Sequence, residues 1–362
     1  MKWRKILIGF LTILFLLLMY LLFWPVSIDP VAWTPPEAPA LTGVYEPNNR
    51  LSAVERIGKG FGVGPEDVAI DSQGRIYGGM EDGRIMRFKS DGSQPEVFAD
   101  TKGSPLGLDF DKAGNLIVCD ADKGLLSITP SGSILVLSIE QGGIPFRLTD
   151  GVDIAADGTI YFTDASFKFT GKEYMSDLME HRPNGRLLAY DPSTKTTRLV
   201  LDKLYFANGV AVSPDQSFVL VAETGKYQVQ RYWLNGPRKG SSDIFIDNLP
   251  GFPDGISSNG KDTFWLALIQ GLESRKDMDS ILPQPFIRKI FMRLPESALA
   301  PKNDGFVLGL DMDGRVIHNL QDPSRSYIQI TNVEEQDGML YLGSAVEDSI
   351  GRLPVPRTNL SQ

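Results

Sequence analysis

From Leu51 onward, apolar residues come in short runs that alternate with polar ones and stop at turn signals. Arg75-Ile76-Tyr77, Asn115-Leu116-Ile117-Val118, Thr159-Ile160-Tyr161-Phe162, Phe218-Val219-Leu220-Val221, Thr263-Phe264-Trp265-Leu266 and Met339-Leu340-Tyr341-Leu342 are runs of this kind. Between them stand Asp82-Gly83, Asp91-Gly92, Asp157-Gly158, Asn184-Gly185, Asn235-Gly236, Asp313-Gly314 and Asp337-Gly338. Such runs, broken by Asp-Gly and Asn-Gly pairs, predict strands joined by tight turns. Sustained helical periodicity is largely absent, so the pattern predicts an all-β domain of sequential hairpins.

Each of these runs follows a copy of one short phrase. Pro65-Glu66-Asp67-Val68-Ala69-Ile70, Thr149-Asp150-Gly151-Val152-Asp153-Ile154, Ala207-Asn208-Gly209-Val210-Ala211-Val212 and Pro253-Asp254-Gly255-Ile256 are the clear copies. Pro105-Leu106-Gly107-Leu108-Asp109-Phe110 is a fifth, and Ile330-Thr331-Asn332-Val333-Glu334 a looser sixth. The equivalent positions 66, 106, 150, 208, 254 and 331 are spaced by 40, 44, 58, 46 and 77 residues. Propeller blades take about 40–50 residues each, so the fold expected is a six-bladed β-propeller with insertions in the longer intervals. These insertions are residues 167–185 in the third blade and 270–303 in the fifth. Long loops on a rigid scaffold cover a site or meet a partner.

Repeats put equivalent residues at equivalent places, and the inner strand of a propeller blade lines the central channel. Glu66, Asp150, Asn208 and Asp254 therefore predict a ring of hard oxygen donors from four blades, with Leu106 and Thr331 completing it without charge. Three such carboxylates would raise one another's pKa values unless a cation neutralised them. Ca2+, which takes about 6–8 oxygen ligands, suits the set better than Mg2+. A lopsided ring leaves coordination open, as a catalytic ion requires. Asp254 and Glu66 are the candidate base or nucleophile. Taken singly, Asp150-Gly151, Asn208-Gly209 and Asp254-Gly255 are also ordinary turn formers; their shared phase, with Glu66, is what argues for a site.

The N-terminus carries a different pattern. Ile6 to Trp24 contains no charge, follows Lys2, Arg4 and Lys5, and is followed by no Lys or Arg until Arg50. That length predicts a transmembrane signal anchor with a cytoplasmic N-terminus and the domain on the other side, be it periplasm, lumen or exterior. A cleaved signal peptide would have a shorter apolar core and small residues at its end, where this run ends Phe23-Trp24-Pro25. Six prolines between Pro25 and Pro47 make residues 25–49 an extended spacer. The resulting division is a tail over 1–5, the anchor over 6–24, the spacer, the propeller over 50–357 and a C-terminal tail over 358–362.

Composition narrows the function. A net charge of −9 speaks against nucleic acid as a partner. One cysteine, Cys119, excludes an intrachain disulfide and a Cys-based zinc site. No Gly-x-Ser-x-Gly elbow or phosphate-binding glycine loop is present. His181, in the third-blade insertion, is a candidate at the channel mouth; His318, in a strand pattern, is expected at the surface. Asn359-Leu360-Ser361 fits a glycosylation acceptor.

The segments Leu148–Ala155, Asp157–Asp164, Gly185–Leu188, Phe206–Val210, Val221–Thr224 and Leu249–Asp254 resemble the strictosidine synthase-like family over roughly residues 50–355. With its single anchor, the chain resembles a membrane-associated member of that family. The resemblance extends more distantly to gluconolactonase, paraoxonase and diisopropylfluorophosphatase propellers. In those a channel calcium sits on Glu, Asn, Asn and Asp, which implies Glu66, Asp150, Asn208 and Asp254 here. Asp150 departs from the usual Asn and would tighten the cation. Thr331 stands where true strictosidine synthases place a catalytic glutamate, which disfavours carbon–nitrogen bond formation, and no counterpart of the paraoxonase histidine pair is evident. The expectation is a membrane-anchored Ca2+-dependent hydrolase acting on small-molecule lactones or aryl esters. The alternative is a non-enzymatic interaction module with a structural ion.

Overall fold

The computed structural model describes residues 2–295 and 302–356; the Asn359-Leu360-Ser361 acceptor lies outside them. Six four-stranded antiparallel sheets form the domain. Five run in chain order from an inner strand outward, and these inner strands are Val68–Ile70, Pro105–Phe110, Thr149–Ile154, Ala207–Val212 and Phe252–Ser258. The sixth begins with Ile330–Gln336 and takes its outermost strand, Glu55–Ile57, from the start of the domain. Glu55 pairs with Arg352 and Ile57 with Ile350, so the two ends of the propeller are sewn into one sheet. This closure leaves no open seam between first and last blades. The buried Tyr327 hydroxyl strengthens it, accepting from the Gly351 amide at 3.0 Å and lying 2.9 Å from the carbonyls of Leu342 and Ser349.

Tight turns follow from Asp and Gly at fixed offsets. Asp71 accepts from the amides of Gln73 and Arg75, both at 2.9 Å, and Asp111 does the same for Ala113 and Asn115. Gly74 and Gly114 supply the positive φ that these Asx turns need. Between blades, the faces of adjacent sheets pack on each other. One such layer joins Phe218, Leu220, Val229 and Phe245 of the fourth blade to Phe264, Leu266, Phe306 and Leu308 of the fifth. The alternation seen in the sequence is thus partly masked: second strands such as Leu116–Asp120 and Phe218–Glu223 are buried at every position, because both sheet faces meet a neighbour.

Toward the axis the inner strands approach so closely that side chains do not fit between them. A Cβ on Gly107 would stand 2.3 Å from the Asp150 carbonyl oxygen, and one on Gly209 2.4 Å from the Ile256 nitrogen. A Cβ on Gly255 would stand 2.5 Å from the Thr331 carbonyl oxygen. The glycines after Asp150, Asn208 and Asp254 are therefore strand residues admitting the next blade, and none of the three has positive φ. The turn-former reading of these pairs does not hold.

Both insertions carry helices. Residues Tyr174–Glu180 form α2, Leu272–Ile281 α3 and Pro285–Phe291 α4; the N-terminal helix Lys2–Phe23 is α1. α1 is long and apolar enough to cross a membrane, and none of its residues is buried. The proline-rich segment after it is extended and docked on the propeller. Val31 donates to the Glu180 carbonyl, Trp33 to that of Leu282, and Gln321 reaches the Tyr45 carbonyl at 3.0 Å. Arg275 and Arg288 are fully buried beneath this strap, each donating to its carbonyls, at Pro36 and Val31 respectively.

The inner-strand packing predicts a specific intolerance. Gly209→Ala forces a methyl group into backbone atoms that cannot swing away, and is expected to cost about 1–3 kcal/mol or more, as overpacking does. Urea unfolding of the propeller checks this; an unchanged midpoint would mean the inner strands have room to part.

Candidate active site

The six equivalent positions converge. Glu66, Leu106, Asp150, Asn208, Asp254 and Thr331 all line one cavity on the axis, together with Asp67 and Asn332. Its volume is about 30 Å3, room for an ion and a water or two rather than for an organic molecule. An organic molecule could meet this ring only from its mouth.

Local backbone geometry aims these side chains. In every inner strand from the second to the sixth, pairing with the next strand slips across the site residue and the one after it. A bulge of this kind turns one side chain toward the axis and breaks the strand's strict alternation. Hydroxyls from flanking strands fix the result. Thr163 donates to the Asn208 carbonyl at 2.6 Å and accepts from the Gly151 amide at 2.9 Å. Thr224 donates to the Pro253 carbonyl at 2.7 Å. Thr331 donates to the Glu66 carbonyl, linking the last blade to the first.

Electrostatically the ring is under strain. Burial, then the charges of Asp67 and Glu81, pushes Glu66 up to about 7. Burial followed by the charges of Glu66 and Asp67 raises Asp150 well above the usual carboxylate range. Asp254 is raised likewise by burial, then by Glu66 and Asp150, with a hydrogen bond from Asn208 opposing. Each carboxylate feels the others, yet none is in an ion pair with Lys or Arg among the described residues.

Asp67 was not anticipated. It stands where four other copies of the phrase carry glycine, an oddity that by itself does not place its carboxylate at the axis. Its carboxylate accepts from the Val68 amide at 2.7 Å, from the Leu108 amide of the next blade at 2.8 Å and from Asn332 of the last. Burial nonetheless lifts it to about 6 against these hydrogen bonds. The Asn332 amide oxygen, also at the cavity, has no partner. Three residues along the inner strands, Asp109, Asp153 and Glu334 form a second acidic tier; burial first, then mutual repulsion, raises Asp109 and Glu334. Period-two counting points to Val152 rather than Asp153 as the next axial residue. The bulge shifts the phase by one, and Val152, while edging the cavity, also packs between blades.

The histidines lie elsewhere. His181 does not line the cavity; it closes α2 and is buried between Trp33, 4.3 Å away, and Tyr205, 4.9 Å away. Burial, then the charges of Lys226 and Arg288, pushes it down to about 3, so it is neutral, and its Nε2 has no partner. His318, expected at the surface, is buried and stacked on Trp265. The apolar side of the ring, at Leu106, abuts a small cluster of Leu148, Phe206 and Leu178 of α2.

The donors at the ring are hard oxygens; among the described residues their carboxylates lack a basic partner and the Asn332 amide oxygen lacks a hydrogen-bond partner, the chemistry that a divalent cation such as Ca2+ satisfies. Their side chains are not drawn in around a common point: among the described residues no three His, Cys, Asp or Glu groups are gathered as a ready-made metal cluster. Binding would require the ring carboxylates to close inward.

Comparison with known proteins fits this geometry. Residues 150–237 match the strictosidine synthase family model, and residues 43–88 the strictosidine synthase-like N-terminal model. Protein STRICTOSIDINE SYNTHASE-LIKE 6 of Arabidopsis thaliana is 38% identical over 312 residues, 84% of this chain and 82% of that one. The chain belongs to the strictosidine synthase-like family. The adipocyte plasma membrane-associated protein of Bos taurus is 34% identical over 358 residues, covering 93% of this chain and 86% of its own. Among solved structures, a gluconolactonase from Xanthomonas campestris superposes with a TM-score of 0.62 at 16% identity, covering 91% of this chain and 99% of its own. A calcium-binding protein, regucalcin, from Agrobacterium tumefaciens gives 0.57 at 14% identity, with 81% and 92% covered. At such identities these two share the fold. Thr331, the sixth blade's residue at the ring, offers only a hydroxyl.

A pH prediction follows from the ring. A carboxylate whose folded pKa is raised stabilises the fold below its unfolded value and loses that contribution as pH rises through the folded one. For Glu66 that window runs from 4.5 to about 7, and for Asp67 from 3.8 to about 6. Cation-stripped protein is therefore expected to melt at lower temperature near pH 8 than near pH 5. Added Ca2+ should recover the difference at the higher pH. Thermal melts across this range check both, and a flat profile would remove the case for a strained ring.

Proposed function

We propose that this protein is a membrane-anchored, Ca2+-dependent hydrolase of small-molecule lactones or aryl esters, working at the mouth of the propeller channel. One observation carries the reading: Glu66, Asp150, Asn208 and Asp254, from four blades, line a single buried cavity without a basic partner. The propellers that share this fold, one a gluconolactonase and one described as calcium-binding, support the choice of chemistry and ion. α1, preceded by Lys2, Arg4 and Lys5, would hold the N-terminus on the cytoplasmic side and the propeller on the other.

These four residues would hold the cation, which when bound supplies Lewis acidity toward the substrate carbonyl. The chain's own groups do the rest. Leu106, with Leu148 and Phe206 behind it, gives the ring one apolar side against which an acyl or aryl group can lie. The small cavity admits a carbonyl oxygen and a water while excluding the body of the substrate. Asp254 or Glu66 takes the proton from the attacking water and returns it to the departing alkoxide oxygen. In the alternative course the carboxylate attacks the acyl carbon and the departing alkoxide takes a proton from water. The hydroxide so formed cleaves the acyl-carboxylate anhydride and frees the carboxylate. Ester or lactone and water are consumed, and acid and alcohol are formed. Thr331 and the stacked, neutral His181 take no proton in this scheme.

The test is a lactone and aryl-ester panel on the full chain in detergent, with calorimetric titration of Ca2+. Turnover that disappears on chelation and returns with Ca2+ is expected. Asp254→Asn is expected to lower kcat/KM by about 10²-fold or more. Ca2+ binding without turnover on any substrate would favour an interaction module with a structural ion, and turnover indifferent to chelation would overturn the metal role.

A further inference from the structure

The register of the blades places the ring and both helical insertions on one face of the propeller. Inner strands begin at the ring, and their beginnings pair with the ends of the second strands: Thr149 with Asp164, Phe252 with Gln270. α2 follows the first of these second strands, and α3 and α4 follow the other. The cap therefore sits over the ring end of the channel.

The same cap is bolted to the end of α1. Arg293, just past α4, donates to the carbonyls of Trp24 at 2.6 Å and Leu21 at 2.9 Å, while the Tyr20 hydroxyl donates to the Arg293 carbonyl at 3.2 Å. Leu21 and Trp24 lie at the end of α1, where helix carbonyls lack partners and a cation is favoured. At 1.5 Å per residue, the 22 residues of α1 span about 33 Å, the thickness of a bilayer's apolar layer. If α1 crosses, its last turn lies at the interface, and no slack chain separates that turn from α4.

α4 is shaped for such a place. Its inner side carries Arg288, fully buried and donating to the Met179 carbonyl at 2.7 Å, which mounts the helix rigidly on α2. Phe286 is 55% exposed on the other side, with Ile290 one turn along, also partly exposed. Phe23 and Trp24, 69% and 61% exposed, stand at the tether. Aromatic and aliphatic groups beside Lys289 and Arg293 match the apolar and polar layers of a membrane interface.

We infer that α4 docks on the bilayer surface, its Phe286–Ile290 side inserted among the headgroups, so that the ring-bearing face of the propeller is held toward the membrane. This depends on α1 spanning the bilayer and is independent of the hydrolase reading.

Site-directed spin labelling of the full chain in phosphatidylcholine nanodiscs tests it. Cys119 is wholly buried and stays unlabelled. Nitroxides are placed by Phe286→Cys, by Phe23→Cys at the end of α1, and by Asp157→Cys in a turn on the opposite face. Labels at 286 and 23 should collide preferentially with oxygen, and the label at 157 with a water-soluble nickel chelate. Adding Arg293→Gln should invert the preference at 286 while leaving 23 unchanged. A nickel-favoured label at 286 beside an oxygen-favoured one at 23 would show a spanning helix with the cap held off the bilayer, overturning the inference. Nickel preference at 23 as well would show that α1 does not span, and the inference would fall with the anchor.

Discussion

The structure depends on how closely its inner strands crowd the axis. Gly107, Gly151, Gly209 and Gly255 let each inner strand press against the backbone of the next, and bulges let each strand bend to do so. That approach brings oxygen donors from separate blades to one small cavity and buries them there. Their raised pKa values follow from the packing, since desolvation is the largest cause for every carboxylate of the ring.

The same constraint explains why the site is polarised. Blades one, three, four and five contribute Glu66, Asp150, Asn208 and Asp254, whereas blades two and six contribute Leu106 and Thr331. The carboxylates stand on alternate blades, one, three and five, and Leu106 alone joins the apolar cluster beneath α2. Around this axis the cap is built from buried cations rather than apolar packing alone. Arg275 and Arg288 spend their donors on carbonyls of the extended strap, of Leu249 and of α2. A proline-rich segment has carbonyls to offer but few amides, so arginine is well matched to holding it.

Much of this was legible without coordinates. Alternation and Asp-Gly turns gave the hairpins, and the repeated phrase gave six blades and the phase at which Glu66, Asp150, Asn208 and Asp254 would meet. The uncharged run over 6–24 pointed to the apolar helix that the structure extends over Lys2–Phe23, and both insertions fell where helices now stand. What escaped was what parity and proximity control. Asp153 shares the channel with Asp150 because a bulge adds one residue to the count, and no local signal announces a bulge. His318 was read as a surface residue, but it stacks under Trp265 in the layer between strands.

The sequence by itself determined the repeat, the blade number and the chemical types placed at each equivalent position, because these depend on local periodicity and on identity at a fixed phase. Tertiary structure alone decided that the glycines are points of contact between blades, and that Asp67 and Asn332 join the ring. It also decided that the strap and Arg293 lock the N-terminal helix to the cap. Those outcomes rest on distances between residues far apart in the chain, such as Arg293 to Trp24 and Asn332 to Asp67, and period and composition carry no information about such distances.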